Sequence, residues 1–296
     1  MERAQERPLR EFGSVFDDVA AAYDAVRPSY PGEIVQAACE AGALDGGSAV
    51  LEIGCGTGKL TELLVARDLR VRAVEPGANL VAAARKRIGQ EGAVQFEVGR
   101  FEDADLPEDA YDAVFSATAF HWVDPRVGWA KAASLLKPGG LLALLTYIDI
   151  HDERSTALEH QFLDVVRAYA PAIARDWSHP RTHEFLIAGA SERAGNASEL
   201  WDWIMGEGMH AMAVPEAATL FDEVRLATVV SQGEQTPDEL LAHLRTTSLW
   251  FMVEPARRQA FENENRQLIE SHGGTFQFSR AAVLMTARRS VPHAPA

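Results

Sequence analysis

Hydrophobic positions recur along the first half of the chain in two alternating rhythms. Ile34, Val35, Ala38 and Cys39 lie at helical spacing behind Pro31, a residue suited to a first-turn position, and Gly42 closes the predicted helix. Ala49 to Ile53 is a short apolar run between Gly46-Gly47 and a glycine cluster, and Leu60, Leu63 and Leu64 mark the helix that follows. The unit then repeats. Val71 to Val74 predicts a second strand, with Leu80, Val81, Ala84 and Ile88 as its helix; Val94 to Val98 predicts a third strand and Tyr111 to Ser116 a fourth. A helix from Val127 to Leu136 stops at Lys137-Pro138-Gly139-Gly140, and Leu141 to Tyr147 makes a fifth strand. Strands alternating with helices imply a doubly wound, parallel sheet.

The second half loses that regularity. Leu158, Phe162, Val165, Val166 and Tyr169 define an amphipathic helix, after which Ala172 to Glu216 carries three tryptophans, three methionines and scattered histidines without a clear period. This stretch reads as an insertion. Val224 to Ser231 is strand-like, and Thr236-Pro237-Asp238-Glu239 forms a capping box that opens a helix through Leu240, Leu241 and Leu244. A further helix ends at Gly273-Gly274, and Thr275 to Ala287 suits a closing, antiparallel edge strand. The expected organisation is an arm over 1–31, a core over 32–150, a mainly helical substrate-side insertion over 151–218, completion of the sheet over 219–290 and a tail over 291–296. Both ends are expected to fray.

The chain has 296 residues, 28 Lys+Arg against 43 Asp+Glu and a net charge of −15, and 47% of it is hydrophobic, which excludes a disordered or fibrous class. The acidic balance repels phosphate backbones, so the expected partner is a small molecule and not a nucleic acid. Two cysteines, Cys39 and Cys55, and the charged start MERAQERPLR argue for a cytoplasmic protein. No stretch approaches the ~20 apolar residues of a membrane span. The histidines lack ligand spacing, so no metal is expected.

Leu51-Glu52-Ile53-Gly54-Cys55-Gly56-Thr57-Gly58 follows a predicted strand and opens a helix, at the edge where doubly wound sheets bind ligands. A dinucleotide fingerprint needs glycine where Lys59 stands, and a phosphate loop needs glycine at Ile53 and Ser or Thr at Leu60. Nicotinamide dinucleotides and nucleoside triphosphates are therefore disfavoured. The remaining G-x-G-x-G turn suits a nucleoside and an amino-acid moiety without phosphate, which is the composition of S-adenosylmethionine. Glu75, 21 positions beyond Gly54 at the end of the second strand, can accept both ribose hydroxyls.

On LEIGCGTGKLT (Leu51 to Thr61), AVEPGANLVAAAR (Ala73 to Arg85), YDAVFSATAFHW (Tyr111 to Trp122) and LLKPGGLLAL (Leu135 to Leu144), the chain resembles the class I, seven-strand S-adenosylmethionine-dependent methyltransferases. FDDVAAAYDAVRPSYP (Phe16 to Pro31) and the His-Trp pair resemble the branch that includes trans-aconitate carboxyl methyltransferases. The close resemblance covers residues 12–150 and is faint beyond Thr236. It implies a Rossmann-like α/β fold, a doubly wound seven-stranded sheet with an antiparallel last strand. It also implies that Glu52, Gly54, Gly56 and Gly58, with Cys55 and Thr57 between them, line the methionine end. Glu75, beside Pro76, would hold the ribose, and Phe101-Glu102 would flank adenine; Ser116 and Ala117 join this cofactor set at the fourth strand. Many relatives carry Asp where Arg100 stands, which moves the adenine amino contact to Glu102.

Pro28 and Pro31 stiffen an arm bearing Tyr23, Arg27 and Tyr30, which reads as a lid: Tyr23 closes the cofactor pocket, Arg27 meets a carboxylate, and Tyr30 faces substrate. His121 and Trp122 follow the fourth strand and Tyr147 ends the fifth, all on the substrate side; His121 is the candidate base for a hydroxyl acceptor. Cys55 is a small filler, since methyl transfer needs no enzyme nucleophile. Trp201, Trp203, Met205, Met209, His210 and Met212 suit either core or an apolar substrate pocket. The expected activity is methyl transfer to a small molecule, favouring a carboxylate or hydroxyl oxygen over nitrogen or carbon. The alternatives are a cofactor-binding cyclase or binding module and a nicotinamide oxidoreductase.

Overall fold

The computed structural model describes Asp17 and residues 24–89, 92, 94–152, 156–171, 181–206 and 212–291. Its frame is the alternation expected from the hydrophobic pattern. Helix α1 (Gly32–Gly42) buries Ile34, Val35, Ala38 and Cys39, and is followed by β1 (Ala49–Ile53), α2 (Lys59–Val65), β2 (Arg70–Glu75), α3 (Ala78–Ile88), β3 (Val94–Val98) and β4 (Tyr111–Ala117). Helix α4 (Pro125–Leu135) starts behind Asp124, whose side chain accepts from Arg126 N–H, and leads directly into the long β5 (Leu136–Ile150). The Pro-Gly-Gly segment therefore lies inside the start of β5 instead of forming a separate stop.

Seven strands pair in the order β3-β2-β1-β4-β5-β7-β6, where β6 is Phe221–Gln235 and β7 is Phe276–Arg289. The first five are parallel, and β7 runs antiparallel to both β5 and β6. The closing strand is thus antiparallel as expected but sits inside the sheet, and β6 takes the edge. The reason is visible in the sequence: Ala281 to Met285 is apolar on both faces and fully buried, whereas β6 keeps polar side chains facing out. Chain order reverses between β1 and β4, the switch point at which open α/β sheets bind ligands.

Alternation along the central strands divides the interior into two cores. Val50, Val71 and Ala113 face the layer holding α1 and α2, while Leu51 and Val114 face a second layer. That second layer holds α4 together with α6 (His183–Glu192) and α7 (Ala197–Ile204) from the aperiodic stretch. Trp129, Trp201 and Phe221 are among its fully buried anchors, with Trp129 edge-on to Phe221 at 6.2 Å. A third cluster stands apart: Phe162, Val166 and Tyr169 of α5 (Thr156–Tyr169) pack with Leu240, Leu241, Leu244 of α9 (Pro237–Leu244), Leu249 of α10 (Ser248–Met252) and Phe261, Ile269 of α11 (Arg258–Ser271). A short α8 (Ala217–Leu220) leads into β6. Packing places α6 and α7 of the expected insertion in the sheet's own core, while α5 joins the 237–271 helices in a separate cluster, the cap.

The cap rises from the sheet itself. Pairing of β4 with β5 ends at Ala117 opposite Leu145, but β5 continues to Ile150 against β7, and β6 continues with them to Gln235. The three antiparallel strands overshoot the parallel edge, and α9, opened by the predicted capping box at Thr236 and Glu239, starts from that overhang. Among the described residues no helix is long and apolar enough to cross a membrane.

Candidate active site

The turn after β1 is shaped by close approach and by open space. A Cβ on Gly54, at φ 69°, would lie 2.3 Å from the Cβ of Ala119, so only glycine lets the chain leaving β4 pass there. A Cβ on Gly56, at φ 53°, would meet nothing within 4 Å: its backbone faces free space. Cys55 and Thr57 between the glycines are buried, and burial drives the Cys55 thiol well above its ordinary pKa, which suits a filler and not a nucleophile.

Two buried carboxylates lie beneath this turn. Glu75, 6% exposed, accepts from Gly56 N–H at 3.0 Å through Oε2 and from Gly77 N–H at 2.9 Å through Oε1. Burial raises its pKa against those two hydrogen bonds. Each oxygen keeps a second lone-pair direction, so the pair can still accept two hydroxyl donors. Glu52 is buried on β1 and accepts from Thr61 Oγ1 at 2.6 Å; burial, with Glu75 adding to it, pushes its pKa to about 7. Two carboxylates here are hostile to a pyrophosphate and favourable to a cation. S-adenosylmethionine, with a ribose, an ammonium and a sulfonium and no phosphate, fits the open face of Gly56 and the free lone pairs of Glu75.

An arm crosses the site, and its best-anchored residues are ones the sequence reading passed over. Asp17 accepts from Asn79 N–H at 2.8 Å and Leu80 N–H at 3.1 Å, capping α3 from outside. Asp24 accepts from Thr57 Oγ1 and from Arg87 Nη2, both at 2.6 Å, and lies 3.6 Å from Lys59 Nζ. Against its partial burial, those hydrogen bonds hold its carboxyl below the ordinary range. Arg27 donates from Nη2 to the Thr246 carbonyl at 2.6 Å and from Nε to Thr246 Oγ1 at 3.2 Å, so the guanidinium clips the arm to the carboxyl end of α9. Tyr30 stacks on Tyr147 with centroids 5.1 Å apart, while Tyr147 donates to Ser29 O at 2.6 Å. The arm thus spans from the cofactor turn to the cap.

At the exit of β4, Ser116 is fully buried and donates to Ile53 O at 2.8 Å, fastening β4 to β1 just below the turn; Ala117 is half-buried. Thr118 takes a left-handed backbone, φ 52°, which for a β-branched residue costs about 1–3 kcal/mol. His121 is buried in a single 3-10 turn, Phe120–Trp122, with its ring 4.7 Å from that of Trp122.

Residues 51–144 match the model of a methyltransferase domain. Over this segment the chain is similar to the S-adenosylmethionine-dependent methyltransferases. An uncharacterised methyltransferase of Mycobacterium tuberculosis is 36% identical over 167 residues, 56% of this chain and 62% of that protein. The chain thus spans about three fifths of the length of the curated relatives it matches most extensively. The malonyl-[acyl-carrier protein] O-methyltransferase of Acetivibrio thermocellus is 34% identical over 116 residues, 36% of this chain and 40% of that one. A structure assigned as a type II methyltransferase from Anaeromyxobacter dehalogenans shares the fold, with a TM-score of 0.59 at 24% identity over 90% of this chain and 99% of that one.

Within residues 51–144, Glu52, Gly54, Cys55, Gly56, Thr57, Gly58 and Glu75 come together at one edge, with Ser116, Ala117 and His121 across the switch point. Pro76 is exposed beside Glu75. Phe101 is buried in the core under Lys131, whose Nζ lies 5.3 Å from the ring centroid. Glu102 accepts from Arg100 Nη2 at 3.0 Å and from Asp124 N–H at 2.9 Å. Arg100 is therefore ion-paired, so it does not make the site positive as a bare cation would. Tyr23, Met209 and His210 lie outside the described residues. Trp201, Trp203 and Met212 are buried in the core behind the sheet with Met205 packed against them, which settles them as packing and not pocket lining. His243 of α9 was missed: it is buried at the cap, and burial, with Arg27 and Arg280 nearby, lowers its pKa to about 4.

Proposed function

We propose that the protein transfers the methyl group of S-adenosylmethionine to an oxygen of a small molecule, a carboxylate or a hydroxyl. The observation that carries the proposal is the glycine turn laid over two buried carboxylates, Glu75 being tied to it by both oxygens. Bound there, S-adenosylmethionine supplies a methyl on a sulfonium that needs no further activation. The chain's work is then positional: Glu75 accepts the ribose hydroxyls, Gly54, Gly56 and Gly58 let the backbone approach the methionine end, and the arm excludes water. Glu102, held by Arg100 and Asp124 N–H through one oxygen, would offer its other oxygen to the adenine amino group.

The acceptor enters from the cap side, between Tyr30, Tyr147, His121 and Trp122. A carboxylate oxygen taking the methyl in line becomes a neutral ester and needs no base, whereas a hydroxyl must lose its proton, for which His121 is the candidate. Arg27 and an Arg280 paired with Asp149 lie on this side beside an uncharged His243, and the O-methyltransferase among the relatives supports the same chemistry. The test is S-adenosylhomocysteine production from S-adenosylmethionine with benzoate, succinate, catechol and an alkyl amine. We expect turnover with an oxygen acceptor; cofactor binding without product from any of them would favour a binding module or cyclase instead.

A further inference from the structure

We propose that Thr118 is a positioning residue for the methyl acceptor, acting through Tyr30 and through the chain it sends across the cofactor turn. The proposal rests on the methyl-transfer reading of the site. Among the described residues, five that are not glycine adopt a left-handed φ: Ala43, Asp68, Asp109, Thr118 and Glu223. Ala43, Asp68 and Asp109 lie ahead of β1, β2 and β4, at the amino edge of the sheet, and Glu223 lies in the irregular start of β6 at the same level. Thr118 alone stands at the carboxyl edge, and it is the one β-branched residue of the five, for which this conformation is most unfavourable.

The surroundings hold it there from three sides. Its N–H donates to Leu145 O at 2.8 Å, extending the β4–β5 ladder by one bond past the last paired residue. Its hydroxyl lies 2.5 Å from the Tyr30 hydroxyl on the arm. The next residue, Ala119, presses on Gly54 at the spot where any side chain on that glycine would clash. A relaxed backbone at 118 would continue the strand and carry Ala119 to His121 away from the turn. The strained one folds them back, so that His121, the cofactor turn and the Tyr30–Tyr147 stack converge. Strain retained at such a point sets geometry that stability alone does not require.

This assigns separate tasks to neighbouring residues. Glu75 and the glycines fix the cofactor, while the Thr118–Tyr30 pair fixes the acceptor oxygen against it. Thr118→Gly relieves the strain and deletes the hydroxyl, Tyr30→Phe removes the partner hydroxyl while keeping the stacked ring, and Thr118→Ser keeps the hydroxyl. With S-adenosylmethionine and whichever of benzoate, succinate or catechol the wild type methylates, we expect Thr118→Gly and Tyr30→Phe each to lower acceptor kcat/KM by about tenfold or more. The dissociation constant for S-adenosylhomocysteine should stay within about threefold and the thermal midpoint of Thr118→Gly should not fall, while Thr118→Ser should recover most activity. Unchanged kcat/KM in both damaging variants overturns the role of Thr118 and leaves methyl transfer standing. A wild type that binds S-adenosylhomocysteine but methylates no acceptor overturns the methyl-transfer reading and this role with it.

Discussion

On one side of the carboxyl edge, Glu52 and Glu75 are buried acids whose pKa values rise, Glu52 to about 7; on the other, His243 is a buried base whose pKa falls to about 4. Burial is the leading cause in all three, and the neighbours reinforce it: Glu75 acts on Glu52, and Arg27 and Arg280 act on His243. The cofactor half thus gathers acids, while the cap half sets Arg27, and Arg280 paired with Asp149, around an uncharged His243, inside a chain of net charge −15. A sulfonium and an ammonium suit the first surroundings. The difference teaches that overall charge speaks against a partner class without describing the site, because local fields are set by the few groups removed from water.

Where the cap ends is tested by the largest expected effect. Trp201 is fully buried behind the sheet, so Trp201→Ala should destabilise the fold by about 3–5 kcal/mol in chemical denaturation while leaving acceptor KM nearly unchanged. A small stability loss with a large rise in KM would return α7 to the substrate side. The next effect separates the halves by pH. Glu52 titrates near 4.5 unfolded and about 7 folded, so its contribution is fully present below pH 4.5 and is lost as pH rises to 7. His243 titrates near 6.5 unfolded and about 4 folded, so its contribution is present above pH 6.5 and is lost as pH falls to 4. Each shift bounds its effect at about 3 kcal/mol. Glu52→Gln should flatten the decline in thermal midpoint between pH 5 and 7, and His243→Gln should flatten the acid limb; parallel profiles for both variants would contradict the opposed burial.

Glu75→Ala should weaken S-adenosylhomocysteine binding by at least about tenfold in calorimetry, equivalent to about 1.4 kcal/mol. An unchanged dissociation constant would remove the ribose assignment. The same titration with S-adenosylmethionine at pH 7, in buffers of different ionisation enthalpy, should show proton release, because a cation beside Glu52 lowers its pKa from about 7.

The cofactor half was readable because its information is local. A strand, a glycine turn and a helix fall within Ala49 to Val65, and Glu75 closes the next strand, so spacing alone placed the acids near the turn. The cap half was not, because its meaning comes from long-range contacts. His243 sits in an ordinary amphipathic helix, and only the fold shows it between Arg27 and Arg280. Thr118 carries no mark of a left-handed backbone, since glycine or asparagine would be the expected residue there. Trp201 and Trp203 left core and pocket open in the sequence for a related reason: burial on several sides erases the single-face period by which a surface helix is recognised.

Asp24 joins the two halves and gives the finest test of the comparison. It holds Thr57 and Arg87 on the cofactor side, and three residues later Arg27 grips α9 on the cap side. Its side chain is 35% exposed, so solvent screens much of the ion pairing, and the surviving contribution should be small. Asp24→Asn keeps the shape and one acceptor oxygen but loses the charge facing Lys59 and Arg87. We expect S-adenosylhomocysteine to dissociate about two- to threefold faster in stopped-flow measurements, with association little changed, because the arm governs escape more than entry. If the arm serves as a connector, acceptor KM should rise by a similar factor, since loosening Asp24 frees the segment that carries Arg27 and Tyr30. A change confined to the cofactor off-rate would show that the two halves are latched independently.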